Sequence, residues 1–140
     1  IRGNMKLISI NNKSAYYKTF KNLMKLDSKP LKEVAEDYAE KISEKHEEIE
    51  SVILFGSVAR ETPKISSDID VLVILDEEND KTREEIIAKS ESFNKKYNVS
   101  LSTTFYEREK FLRDLKASRT FAENIVDEGE ILAGEKIWEN

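Results

Sequence analysis

Apolar positions along the chain follow two rhythms, one helical and one strand-like. From Pro30 to His46, Leu31, Val34, Ala35, Tyr38, Ala39 and Ile42 recur at i, i+3, i+4 spacing against a Lys/Glu face. That predicts an amphipathic helix with a proline in its first turn. Val52 to Phe55 is a short unbroken apolar run, the mark of a buried strand, and Val58 to Arg60 can start a short helix after the turn Gly56-Ser57. Glu61 to Ser67, holding Pro63, reads as a loop. Asp68 to Leu75 is the most hydrophobic stretch and reads as a second buried strand. Thr82 to Tyr97 predicts a helix with Ile86, Ile87 and Phe93 inward, and Val99 to Tyr106 a third strand. Two helical pieces follow, about Glu107 to Lys116 and Phe121 to Glu128, before Gly129 and a small strand Ile131 to Ala133. Upstream, Met5 to Ile10 reads as a strand and Ser14 to Leu26 as a helix, in which Tyr16, Tyr17 and Phe20 have the spacing of packing residues.

This order predicts an α/β (α+β) domain with a small mixed β-sheet packed against helices. The loop between the first two strands is too short for a parallel crossover, so they are expected to be antiparallel. The domain is placed at residues 29–140, after a basic N-terminal segment at 1–28.

Composition changes the picture in two ways. The 140 residues are 39% hydrophobic and 36% charged, with no cysteine. A soluble globular domain is expected, without disulfides or thiolate metal sites, and the cytoplasm is the default compartment. No apolar run approaches a membrane span and no signal-peptide pattern opens the chain. The net charge of −5 is also uneven, because residues 1–26 hold six cations and no acid, which leaves −11 on the remainder. A basic arm on an acidic body points to a polyanion, and DNA is one such partner. The chain begins with Ile1, as a processed or partial chain would. His46, near a helix C-terminus, is expected to face solvent, and Trp138 to dock on the body or on a partner.

The chemistry concentrates between Phe55 and Val71. Asp68 and Asp70 are two residues apart at the head of an apolar strand, so both point the same way, roughly 6.5–7 Å apart along it. Two such carboxylates repel each other and resist desolvation, and a divalent cation between them relieves both costs. Hard oxygen ligands fit Mg2+ or Mn2+. The Gly56-Ser57 turn offers backbone N–H groups suited to phosphate. A nucleoside triphosphate is the ligand that needs both. Read one by one, Gly56 could be an ordinary turn glycine, Ser57 a helix cap and Asp68 a loop cap. Asp70, within an apolar strand, has no comparable structural reading.

The pattern hydrophobic–Gly–Ser, ten residues, Asp–hydrophobic–Asp–hydrophobic is met by Phe55, Gly56, Ser57, Asp68, Ile69, Asp70 and Val71. It resembles the nucleotidyltransferase superfamily, which shares the fold of DNA polymerase beta, and Gly-Ser-Val-Ala-Arg-Glu followed by Ser-Asp-Ile-Asp looks most like its minimal group. The resemblance implies Asp68 and Asp70 as catalytic metal ligands, with Gly56, Ser57, Arg60 and Ser67 as phosphate-binding residues. It implies transfer of a nucleoside monophosphate from an NTP, ATP first among them, to a hydroxyl of a protein, an RNA or a small molecule. Active members usually add a third carboxylate on the following strand. That strand reads Asn98-Val99-Ser100-Leu101-Ser102-Thr103-Thr104, with Ser100 at the acid's place and Glu107 the nearest acid downstream, expected beyond the strand end. Losing a general base costs on the order of 10²–10⁴-fold.

The alternative is therefore a catalytically impaired binding module, antitoxin-like or regulatory. In the minimal group, an antitoxin pairs with an all-helical HEPN protein. The segment Arg2 to Asn11 also resembles the wing of a winged-helix domain, which would bring DNA contact through an upstream element. Oligomerisation is compatible with either reading.

Overall fold

The structure, a computed structural model, describes residues 29–60 and 68–139. The strand and helix expected before Lys29 lie outside these residues, as does the loop with Ser66 and Ser67. The elements are α1 (Leu31–Lys45), β1 (Ile49–Phe55), α2 (Gly56–Ala59), β2 (Ile69–Leu75), α3 (Asp80–Tyr97), β3 (Leu101–Glu107), α4 (Arg108–Lys116), α5 (Thr120–Glu128) and β4 (Glu130–Gly134), with a closing 3-10 turn at Ile137–Glu139.

The four strands form one mixed sheet in the order β3-β2-β1-β4. β1 and β2 are antiparallel, with Ile53 opposite Leu72 and Phe55 opposite Asp70, as the short loop requires. α3 provides the crossover that makes β2 and β3 parallel. Its start is capped by the Asn79 side chain, which accepts from the Thr82 N–H, and its end by Asn98 in the left-handed region at φ 52°. β4 closes the other side, antiparallel to β1.

β2 is buried on both faces, which explains its continuous apolar run. Val71, Val73 and Leu75 face Val34, Ala35, Tyr38, Ile42, Ile86 and Phe93 of α1 and α3. Leu72 and Ile74 face Phe111, Ala122, Ile125 and Ile137 on the opposite side. Tyr38, fully buried, meets Phe93 edge-on at 5.5 Å and bonds Thr103 Oγ1 at 2.9 Å, which ties α1 to β3.

Three expectations are corrected. His46 is buried, not solvent-facing, because the turn into β1 folds it under α3, where Nε2 lies 3.6 Å from Glu85. Ile87 is 43% exposed, since α3 needs only the stripe of Thr82, Ile86, Ser90 and Phe93 to cover the sheet. Glu107 is the last residue of β3 and not beyond its end. Trp138 does dock on the body, 5.9 Å from the Phe111 ring.

Candidate functional site

The site forms where β1 ends and β2 begins. Strand alternation puts Asp68 and Asp70 on the face of Leu72 and Ile74. Asp68 is exposed and Asp70 half-buried. Burial, and then the neighbouring Asp68 carboxylate, push the Asp70 carboxyl above its ordinary value, while Arg60 pulls it down. The structure thus brings Asp68 and Arg60 within electrostatic reach of Asp70.

Gly56 is shaped to this pair. Its φ is +78°, and a Cβ there would stand 2.5 Å from Asp70 Oδ2. Only glycine lets the chain pass this close to the carboxylate and turn directly into Ser57. The first N–H groups of a helical turn have no partner inside it, so the Gly56-Ser57 backbone can donate beside the carboxylates.

The neighbouring strand explains the missing acid. Asp70 is the parallel partner of Ser102, and the same register carried two positions back sets Ser100 beside Asp68. Both neighbours are hydroxyls. Glu107 lies five positions further along β3 than Ser102, roughly 16 Å away and on the other face, so it cannot replace them. Among the described residues, no group of three or more His, Cys, Asp and Glu side chains could hold a metal ion. Two carboxylates on one face nonetheless suit a hard divalent cation whose remaining ligands come from a bound phosphate chain.

A family model described as polymerase beta, nucleotidyltransferase matches residues 38–137. The chain belongs to this family. No curated protein matches it. Among solved structures, the chain is similar to a toxin–antitoxin with AMP-PNP (21% identity, 72% of this chain and 74% of that one, TM-score 0.52). It is likewise similar to a toxin–antitoxin MntA-HpeT carrying two Asp-to-Glu changes (18% identity, 72% and 74%, TM-score 0.50). A Shewanella oneidensis complex of tri-AMPylated HEPN toxin with MNT antitoxin is more distant (16% identity, 76% of each chain, TM-score 0.47). At these identities the likeness is one of fold. Among the described residues of this nucleotidyltransferase domain, no helix is long and apolar enough to cross a membrane.

Two features of the domain's site were not visible in the sequence. Arg60 Nη1 pairs with Glu128 Oε2 of α5 at 3.3 Å, across 68 residues of chain. An aromatic group of Phe55, Tyr106 and Phe121 lies on the same face as Asp70. The exposed hydroxyls Ser100, Ser102 and Thr104 do carry a period-two signal that marks one face of β3.

Proposed function

We propose that the domain binds an Mg–NTP, with ATP as the first candidate, at Asp68, Asp70 and the Gly56-Ser57 turn, and transfers its nucleoside monophosphate to a hydroxyl. The observation that supports this most is the fit of Gly56 over Asp70, which joins the backbone proposed for phosphate to a carboxylate proposed for metal. Asp68 and Asp70 would hold Mg2+ or Mn2+. When bound, such an ion screens the phosphate charge and lowers the pKa of an attacking hydroxyl. Gly56 and Ser57 orient the distal phosphates, and Arg60 adds a cation if it exchanges Glu128 for phosphate. Ser67, which adjoins Asp68 in sequence, is proposed as a further phosphate contact.

The acceptor side is the weaker half. Ser100 and Ser102 cannot take a proton as a carboxylate would, so turnover is expected to be slow. This favours a second reading, in which contact with a partner matters more than transfer. The toxin–antitoxin neighbours support a HEPN-type helical protein as that partner. The basic N-terminal segment supports DNA contact only through its charge.

The test is transfer of α-labelled phosphate from each NTP, with Mg2+ or Mn2+, to a co-purified helical protein, RNA or small alcohols. Labelled acceptor with wild type and none with Asp70→Asn supports the enzyme. Metal-dependent ATP binding without transfer to any acceptor supports the binding module. Absence of both overturns the site.

A further inference from the structure

Phe121 and Ile87 are the exposed large hydrophobic residues of the described chain. Ile87 stands alone on α3, but Phe121 belongs to a built surface. Its ring stacks on Tyr106 at 5.9 Å and 11°, and meets Phe55 edge-on at 5.6 Å and 89°. Tyr106 is fixed in turn. Its hydroxyl donates to Asp114 at 2.7 Å, Phe111 meets its ring edge-on at 5.6 Å, and Lys110 Nζ lies 5.1 Å from the ring centre. Phe121 is thus held in place yet remains 37% exposed.

Its location gives the exposure a use. Phe55 is the antiparallel partner of Asp70 and the last residue before the Gly56-Ser57 turn. Tyr106 is four positions beyond Ser102, the parallel partner of Asp70. The ring between them lies over the same face as the carboxylates, against the Phe55 side chain whose strand partner is Asp70. Ala122 and Ile125 already bury α5 against the sheet, so a polar residue at the start of the helix would leave that contact intact. A fixed, partly open aromatic ring beside a phosphate site is a surface on which any base can stack.

We propose that Phe121 is the stacking platform for the nucleobase of the bound NTP, with Phe55 as the wall between base and phosphates. The proposal rests on the reading that Asp68, Asp70 and Gly56 hold the metal-bound triphosphate. Stacking reads ring area and not hydrogen-bonding groups, so this platform prefers purine over pyrimidine nucleotides without distinguishing adenine from guanine.

The experiment is calorimetric titration in Mg2+ with two probes, ATP and inorganic tripolyphosphate. The proteins are wild type, Asp70→Asn and the variants Phe121→Ala, Phe121→Leu and Phe121→Trp. Phe121→Ala and Phe121→Leu should weaken ATP about 5- to 50-fold and leave tripolyphosphate within about twofold, while Phe121→Trp keeps ATP binding. Leu retains apolar bulk without a ring, so it carries the test should the alanine variant unfold. Equal loss for both probes, or unchanged ATP affinity in the leucine variant, overturns the platform. If Asp70→Asn leaves wild-type ATP affinity unchanged, the phosphate-site reading is what fails, whatever Phe121 does.

Discussion

Replacing Gly56 by alanine, with a second glycine as control, tests whether the turn and the Asp70 carboxylate act as one unit. The new Cβ would lie 2.5 Å from Asp70 Oδ2, against an ordinary contact of roughly 3.4 Å or more. The carboxylate must therefore withdraw by about 1 Å, and a displacement of that size costs on the order of 10²-fold in a site that needs exact placement. The backbone also pays about 1–2 kcal/mol for a side chain at φ +78°. Gly134 is the natural control. Its φ is +82°, and a Cβ there would overlap the Glu50 carbonyl oxygen at the β1–β4 edge, away from Asp70. Both variants should lower Tm by several degrees, with Gly134→Ala at least as affected, because its clash is with backbone. Only Gly56→Ala should lose Mg–ATP affinity or label transfer by about 100-fold. Thermal melts and titrations on the same samples decide it. Equal functional loss in the two variants, or a Gly56→Ala protein that binds within about twofold of wild type, would refute the coupling of turn and carboxylate.

Asp70→Asn should raise the stability of metal-free protein. Because folding raises the Asp70 pKa, the charged form is disfavoured in the native state at neutral pH, and that cost fades as pH falls through the raised value. With solvent screening, a gain of about 1 kcal/mol or less, roughly 2–4 °C in Tm at pH 7.5 in EDTA, should shrink towards pH 4; a gain independent of pH would contradict it. Tyr38→Phe should cost about 1–2 kcal/mol in urea unfolding by leaving Thr103 Oγ1 without its partner. Burial pushes the Tyr38 phenol up to about 12, so wild type should lose stability as pH rises from 10 towards 12 and the phenylalanine variant should lose less. Glu128→Gln should change Tm by less than about 2 °C, since its pair with Arg60 is half exposed on both sides. Freed for phosphate, Arg60 should tighten Mg–ATP a few-fold in titration; weaker binding would place Glu128 among the ligand-holding groups.

The parts of the fold legible in the sequence were those where one rhythm dominates. α1 and β2 follow single periods, and their ends fall within one residue of expectation. β1 begins three residues earlier than its apolar run, because Glu50 and Ser51 hide the strand. Ser51 is fully buried, yet nothing in its type announces it. His46 and Ile87 misled for the same reason, since which face a side chain takes at the turn or on α3 is decided by distant packing. In the site, the shared face of Asp68 and Asp70 follows from strand alternation alone. Glu128 and Phe121 could not be placed, because they reach the site through α5, more than fifty residues downstream, and no local pattern records that approach.

The antiparallel pairing of β1 with β2 has a consequence for how the site assembles. Every group assigned to the ion and the distal phosphates lies between Gly56 and Asp70, and one short loop closes that stretch. Closing so small a ring costs little chain entropy, so this half can take shape early and locally. Ser100 and Ser102 join it through the longer connection that holds α3, which sets β3 parallel to β2. The two halves therefore stand on separate entropic footings. Loosening β3 should blur the proposed acceptor side while the ribbon proposed to grip phosphate keeps its form, and a chain built this way can let the one drift while retaining the other.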